Sequence, residues 1–237
     1  MCKIAVSQSN YIPWKGYFDL IDKVDKFIIF DNVQYTRRDW RNRNKIFSSS
    51  GDLIWLTIPI KSKGNFKVNI NKIEVFNDSW RKKHFVNIIN SYKKSDNFNV
   101  IFPFLEELYF SDNEKNLSLI NISFIIKICK FLKIDTQILN CQSYGKSFTA
   151  SEKILYEIIK NGGTHYYTSP KAKAYLDENL FKENGVKIQY ISYEGYPHYG
   201  QKFDQFKHKV SIIDLMMNTG LKSKNYIKEI DNLILVH

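Results

Sequence analysis

The chain has few cysteines and no long hydrophobic run, and each of these two features excludes some classes of protein. Three of its 237 residues are cysteines, and Cys2, Cys129 and Cys141 form neither a CxxC pair nor an even disulfide framework. We therefore expect free thiols and a cytoplasmic protein. Residues 117–132 form the longest apolar stretch, but serines, an asparagine and lysines interrupt it, so it predicts a buried helix and no membrane span. The first residues lack a charged leader followed by an apolar core, so we expect no signal peptide.

Several sequence signatures of catalysis are missing as well. Neither GxGxxG nor GxxxxGKS/T occurs, which argues against the common dinucleotide and P-loop nucleotide sites. GxSxG is absent and no Ser-His-Asp order can be assigned, so a serine hydrolase is not expected. The five histidines show no HxH or HExxH spacing and no cysteine lies suitably near them, so we expect no metal site.

Aromatic rings and positive charge are what the chain has in quantity. Aromatic residues make up 15% and hydrophobic residues 43%, as in a globular protein. Lysine and arginine number 35 against 24 acidic residues, which gives a formal net charge of +11. That balance favours anionic partners: nucleic acid, a membrane surface, a nucleotide-linked metabolite or an acidic carrier protein. Charge alone does not choose among them.

Alternating strand and helix patterns predict an α/β fold. A short strand at 3–7, an amphipathic helix at 16–24 and a compact apolar strand at 26–31 form the β–loop–α–β start of a doubly wound sheet. We expect a mostly parallel sheet with helices on both faces, and a helix-rich insertion in the middle at about 78–132, within a single α/β domain spanning 1–237. The further elements expected are strands at 53–60, 73–76, 135–139, 164–169 and 186–193, helices at 149–162, 171–184 and 211–218, and a mobile flap at 61–67.

The loop after the first strand carries a dense group of aromatic residues. Gln8 opens it, and Tyr11, Trp14 and Tyr17 follow. In an open α/β sheet this loop lies at the carboxyl edge, where ligands bind, and the next helix offers its N-terminal N–H groups to an anion. We expect Gln8, Tyr11 and Trp14 to bind substrate. The alternative is that Tyr11 and Trp14 only plug the edge of the sheet.

The loop after the second strand carries arginines in alternation with aromatic and amide side chains. It leaves the same edge of the sheet, and guanidinium groups suit phosphate or carboxylate and stack on aromatic rings. A solvated basic face is the alternative, but such faces rarely carry Trp, Tyr, Gln and Asn between the charges. The substrate-binding residues expected here are Gln34, Tyr35, Arg38, Trp40, Arg41, Asn42 and Arg43.

The two loops also carry a family resemblance. The chain closely resembles the WbqC-like family in the runs QSNYIPWKGYF at 8–18, DNVQY at 31–35 and RDWRNR at 38–43. Ser9 departs from the family, which usually has proline there, and leaves that turn less rigid. Members are commonly encoded in bacterial O-antigen and other surface-glycan gene clusters. The resemblance therefore implies a part in making an unusual sugar.

Three residues are candidates for proton transfer. His84 would share a helix face with Trp80, and the resemblance supports it. His198 lies between two tyrosines in a turn at the end of a strand, where ligands bind. Asp31 ends a buried strand at the sheet edge, and orienting the nearby arginines is as good an account of it as catalysis.

The resemblance and the two loops lead to a functional hypothesis. Surface-glycan clusters need transferases that act on nucleotide-linked sugars, and N-acylation of an amino sugar is a frequent last step. Arg38, Arg41 and Arg43 would clamp the diphosphate of such a sugar, and its base would stack on Trp14 or Trp40. No tightly bound cofactor is expected, because the acyl donor would be a co-substrate: acyl-CoA, an acyl carrier protein or a charged tRNA. We also allow for a homodimer.

Three other classes of protein stay open. A glycosyltransferase would use the same diphosphate clamp, although the metal-binding DxD that usually accompanies it is absent. An RNA- or DNA-binding module would explain the charge and the alternation of arginine with aromatic rings, although the sequence lacks an RNP or helix-turn-helix signature. A non-enzymatic protein that binds nucleotide sugars or supports glycan assembly is the third.

Overall fold

The structure is a computed structural model that describes residues 1–61, 67–142, 148–201 and 206–228, so most of the flap expected at 61–67 lies outside the described residues. The strands are β1 Lys3–Ser7, β2 Lys26–Ile29, β3 Arg43–Phe47, β4 Leu53–Thr57, β5 Gln137–Asn140, β6 His165–Thr168 and β7 Lys187–Tyr190. The α-helices are α1 Lys15–Asp22, α2 Ser79–Tyr92, α3 Phe98–Phe110, α4 Leu117–Phe131, α5 Ala150–Lys160, α6 Glu178–Glu183 and α7 Ile212–Thr219. Short 3-10 helices occupy Ile70–Lys72, Pro170–Ala174 and Gly220–Tyr226.

Five parallel strands form the central sheet in the order β5–β2–β1–β6–β7. From β1 the chain moves outward through β2 to β5, and then returns past β1 to place β6 and β7 on the other side. The winding direction therefore reverses between β1 and β6. The carboxyl ends of these two strands form the switch point at which doubly wound sheets bind ligands. The loop that begins at Gln8 leaves the sheet at this point.

Alternation along β1 distributes its side chains between two hydrophobic cores. Ile4 and Val6 pack in one core with residues of α5 and α6, whereas Ala5 lies in the other core with residues of α1, α4 and α7. Because successive strand residues point to opposite faces, helices cover each face of the sheet. The predicted α/β class, with a mostly parallel sheet and helices on both faces, is confirmed.

Three helices, α2, α3 and α4, occupy the region where a helix-rich insertion was expected. Their buried residues belong to the same hydrophobic core as those of α1. The division of the chain into one domain with a helical subdomain stays a prediction. None of the helices in the described part of the chain is long and apolar enough to cross a membrane.

Three segments differ from their sequence-based predictions. Residues 43–45, expected in a loop, belong to β3, which pairs with β4 in a separate antiparallel hairpin. Residues 73–76, expected as a strand, form only isolated bridges among the described residues. The helix expected at 171–184 is divided into a 3-10 turn and α6, because Asp177 caps a new helix with its side chain.

Candidate functional site

Asp31 anchors the loop that follows β1. Its carboxylate is buried and accepts hydrogen bonds from the Ser9 N–H at 2.8 Å, from the Ser9 hydroxyl at 2.5 Å and from the Ser118 hydroxyl of α4. Asn121, also on α4, donates to the Ser9 hydroxyl at 3.2 Å. Asp31 therefore holds the loop in place from inside the protein. These hydrogen bonds come from serines and not from the arginines that Asp31 was expected to orient, and both the orienting and the catalytic role predicted for it stay untested.

Arg41 joins the two loops at the carboxyl edge of the sheet. Its guanidinium donates to the side-chain oxygen of Asn10 and, at 3.4 Å, to the carbonyl of Ser9, and it lies 3.6 Å from the Asp39 carboxylate. The Arg41 side chain is only 13% exposed, and its buried Nε has no hydrogen-bond partner among the described residues. A guanidinium carries five N–H donors. Arg41 is thus held by the first loop and by Asp39, and its Nε, like that of Arg43, is a buried donor that a bound anion would satisfy.

Asn42, Tyr35 and Gln34 have different surroundings although the sequence places them together. The Tyr35 hydroxyl donates to Asn42 Oδ1 at 2.9 Å, and the Asn42 amide donates to the carbonyl of Ile58 at 2.9 Å. Both residues are buried, so they brace the second loop from within. Gln34 is exposed, and its backbone forms a bridge with Asn69. Of these three predicted binding residues, Gln34 alone presents its side chain to solvent.

Tyr11 and His84 belong to a buried chain of hydrogen bonds. The Tyr11 hydroxyl lies 2.8 Å from His84 Nδ1 and 2.6 Å from the Tyr109 hydroxyl. His84 also hydrogen-bonds the backbone of Thr57, and burial lowers its pKa to about 4. Since a neutral imidazole has one donor and one acceptor nitrogen, donation to the Thr57 carbonyl leaves Nδ1 to accept from Tyr11. The arrangement favours structural roles for Tyr11 and His84, and their predicted functional roles stay untested.

Trp14 lies half-buried at the start of α1. Its ring contacts Tyr193, which follows β7, at a centroid distance of 5.2 Å. A Cβ on Gly16 would come within 2.4 Å of the Trp14 ring, so glycine is what lets the ring fold against the helix. Gln8, Asn10, Trp14 and Arg41 all lie in or beside the loops at the carboxyl ends of β1 and β2, and we call them the carboxyl rim.

A buried lysine beside the carboxyl rim was not foreseen from the sequence. Lys15, the first residue of α1, is only 2% exposed and donates to the Pro197 carbonyl at 3.0 Å. Its Nζ lies 5.0, 5.2 and 5.7 Å from the centres of three rings, which we call the lysine cage: Tyr196, Tyr199 and Phe206. Burial lowers the pKa of Lys15 to about 8, although the nearby Asp214 opposes this shift. The feature of the sequence that could have indicated this site is a lysine at the start of a helix, where the helix dipole disfavours a positive charge.

His198 lies on the outer side of the lysine cage. Its ring stacks on Phe206 at a centroid distance of 4.3 Å and lies 5.0 Å from the ring of His208. Burial, Lys15 and His198 together lower the pKa of His208 to about 4, and the buried Nδ1 of His208 has no hydrogen-bond partner in the described part of the chain. His198 itself is exposed. Among the three predicted catalytic residues, it is the one that a substrate can reach.

The other predicted binding residues lie on a different surface, formed with the hairpin. Trp40 is 42% exposed, and its ring lies 5.5 Å from that of Trp55 on β4. The Arg43 guanidinium lies 4.0 Å from the centre of the Trp55 ring and donates to the Arg38 carbonyl at 2.6 Å. Arg38, Trp40 and Arg43 therefore lie with the hairpin. Arg41 is not far from them, because both Arg41 and Arg43 help to lower the pKa of Asp39 against the effect of burial. The sequence offered one sign that Trp55 has a functional role, which is a tryptophan within a predicted strand.

The fold and the carboxyl rim define a doubly wound α/β protein with a buried arginine near its switch point. The sequence matches the model of the WbqC-like protein family over residues 8–226, and the chain belongs to that family. It is similar to the uncharacterized protein Rv1507c of Mycobacterium tuberculosis, with 38% identity over 228 residues, 96% of this chain and 98% of that protein. No solved structure gives a significant match. The predicted family is confirmed, and membership suggests a role in surface-glycan biosynthesis.

Proposed function

We propose that the chain is a transferase of bacterial O-antigen or related surface-polysaccharide biosynthesis that N-acylates a nucleotide-linked amino sugar. Family membership supports the glycan context. The observation that carries the proposal is the Arg41 guanidinium, which is fixed beside Asn10 near the switch point of the sheet and keeps an unpaired donor among the described residues. The acyl donor would be a co-substrate, for which acyl-CoA, an acyl carrier protein and a charged tRNA are all suitable.

Arg41 is the residue that would bind the diphosphate of the substrate. Charge-assisted hydrogen bonds from arginine to phosphate are short and strong, and they are strongest where the guanidinium is already held in place. Arg38 and Arg43 were expected to share this task, but they lie with the hairpin. The ring of Trp14 on the carboxyl rim offers a flat wall on which the nucleobase or the sugar would rest.

N-acylation requires that the attacking amine lose a proton. The neutral amine attacks the acyl carbonyl, the C–N bond forms, and the bond to the sulfur or oxygen of the donor breaks, so a proton passes from nitrogen to the leaving group. His198 would relay that proton, because it is exposed while His84 and Asp31 are enclosed and fully hydrogen-bonded. His198 lies next to the cage residue Tyr199 along the chain, close to the carboxyl rim.

Stabilisation by ligands tests the binding half of the proposal. The protein would be heated with UDP- and dTDP-amino sugars, and a ligand at about a hundred times its Kd should stabilise the fold by about 3 kcal/mol. Arg41→Gln should weaken binding about tenfold to a hundredfold, because a hydrogen bond to a charged group is lost. Lys160→Ala removes one positive charge from α5, outside both loops, and should bind like the wild type. Equal binding by wild type and Arg41→Gln would refute the site, and no stabilisation of the wild type would refute the substrate class.

A mass-spectrometric assay tests the chemical half. The protein would be incubated with an amino-sugar nucleotide and, in turn, an acyl-CoA, an acylated carrier protein or an aminoacylated tRNA, and the nucleotide sugar should gain one acyl group. His198→Ala should slow the transfer about a hundredfold or more, because general-base catalysis contributes that much. His165→Ala is the matched control, since His165 begins β6 at the opposite edge of the sheet. Transfer of the sugar in place of an acyl group would make the protein a glycosyltransferase, and unchanged rates in His198→Ala would remove this residue from the mechanism.

A further inference from the structure

The outer face of the hairpin combines exposed aromatic rings with positive charge. Its members, which we call the hairpin face, are Trp40, Arg43, Lys45, Trp55 and Thr57. Alternation sets this face, because Asn44, Ile46 and Leu56 are buried, whereas Arg43, Lys45, Trp55 and Thr57 keep exposed surface.

The two tryptophans leave large apolar surfaces in contact with solvent. Trp40 is 42% exposed and Trp55 is 41% exposed. Their ring centroids are 5.5 Å apart with the planes tilted by 37°, a separation at which rings touch each other directly. A flat ligand therefore cannot enter between them, but it can stack on the exposed part of the Trp40 ring. The Trp55 ring is partly covered by Arg43 and Lys45.

Two cations lie over the ring of Trp55. The Arg43 guanidinium lies 4.0 Å and the Lys45 ammonium 4.7 Å from the centre of the Trp55 ring. Lys45 and Trp55 are direct cross-strand partners, so this spacing is fixed by the register of the hairpin. Asp39, the acidic residue next to Trp40, is engaged by the Thr36 hydroxyl at 2.7 Å and by Arg41. The hairpin face is therefore positively charged and complementary to phosphate.

We propose that the hairpin face binds single-stranded RNA. Unpaired bases stack on exposed aromatic rings while the phosphates follow the cations, which is how proteins bind single strands without sequence preference. An open face that joins an exposed ring to neighbouring cations suits a strand better than a free nucleotide, because small ligands need a concave site to bury them. Thr57, exposed and paired with Arg43 across the hairpin, offers a hydroxyl to a ribose 2′-hydroxyl. This inference does not depend on the proposed transferase activity.

Fluorescence anisotropy with a labelled single-stranded RNA of about ten nucleotides tests the proposal. Trp55→Ala should weaken binding about fivefold to a hundredfold, because it removes the ring against which Trp40, Arg43 and Lys45 pack, while Trp55→Phe should retain part of the affinity. Lys45→Ala should lower the slope of log Kd against log salt by about one, as the loss of one phosphate contact does. Circular dichroism would show whether each variant is folded. If Trp55→Ala does not fold, the comparison of Trp55→Phe with the wild type still decides the test.

Two control variants separate this face from positive charge in general. Tyr156 on α5 is 43% exposed and has Lys160 over its ring at 5.8 Å, so it repeats the chemistry of one aromatic ring with one cation. Tyr156→Ala and Lys160→Ala should bind RNA like the wild type. The proposal is overturned if they lose as much affinity as Trp55→Ala, if the hairpin variants bind like the wild type, or if an RNA duplex, a DNA strand of the same sequence, UDP or CoA binds more tightly than the single strand.

Discussion

Lys15 carries its charge in a place where both a helix and a core disfavour it. It opens α1, at the end of the helix dipole that repels cations, and the lysine cage encloses its ammonium. The Pro197 carbonyl and the charge of Asp214 favour the ammonium, yet burial still lowers the pKa of Lys15 to about 8. The charged form is thus less stable in the folded protein than in water.

Replacing Lys15 with methionine should raise stability near neutral pH and lose that advantage at alkaline pH. The pKa of Lys15 falls from its ordinary value of 10.5 to about 8 on folding, so between these values the unfolded chain binds more protons and the stability of the wild type rises with pH. Methionine binds no proton. The difference in free energy of unfolding between variant and wild type should therefore shrink across this window, by on the order of 3 kcal/mol in full. Urea unfolding at a series of pH values measures it.

Lys160→Met is the control for the loss of a lysine as such, because Lys160 is exposed on α5. Near neutral pH that variant should have a free energy of unfolding close to that of the wild type, since its replacement removes no buried charge. Groups that Lys15 does not influence, such as the buried thiol of Cys129 with its raised pKa, titrate alike in all three proteins and cancel in the differences. The pKa of His208, which burial and Lys15 lower to about 4, lies well below this pH range. A difference for Lys15→Met that does not change with pH would show that its amine is solvated as in water.

Some of the predicted site residues are buried and others are exposed, and the sequence does not show which are which. The density of amide, aromatic and basic residues in the two loops marks the carboxyl edge, and Arg41 does lie there. However, the Tyr11 hydroxyl meets that of Tyr109, 98 residues further along the chain. Such a long-range contact has no local pattern, so a buried tyrosine and an exposed one look the same before folding.

The strands and helices that the sequence predicts well are those with a strong local signal. The apolar runs of β1 and β2 are recognisable because both faces of a parallel sheet are covered. α5 is recognisable because Thr149 and Glu152 form a capping box, which the structure contains. Gly220, with φ of +56°, is the C-cap of α7, a position that glycine commonly takes.

β3 lacked such a signal because its outward residues are basic. Arg43 and Lys45 alternate with the buried Asn44 and Ile46, and a buried asparagine in place of an apolar residue hides the strand period. Asn44 is accommodated because its amide donates to the carbonyls of Tyr11 and Ile12, at 3.1 and 2.8 Å. The hairpin is thus tied to the first loop by side-chain bonds that only the folded structure reveals.

At the scale of the whole molecule, the peptide between Trp40 and Arg41 lies between the carboxyl rim and the hairpin face. The Trp40 carbonyl accepts from the Tyr11 N–H at 3.0 Å, and the Arg41 carbonyl accepts from Asn121 at 2.8 Å. With the backbone fixed on both sides of that peptide, the Trp40 ring points to the hairpin face and the Arg41 guanidinium to the carboxyl rim. Each surface therefore has its own charged and aromatic residues.

Separate surfaces predict that an RNA strand and an amino-sugar nucleotide bind at the same time. Titration calorimetry with the nucleotide sugar should give a Kd within about twofold of its ordinary value when the hairpin face is saturated with RNA, since a coupling below about 0.5 kcal/mol is expected of independent sites. Arg41→Gln should lose the nucleotide sugar and keep the RNA, and Trp55→Ala should do the reverse. Direct competition between the two ligands would mean that one continuous site crosses the peptide from Trp40 to Arg41. In that case both variants should weaken both ligands, a pattern that two separate surfaces cannot produce.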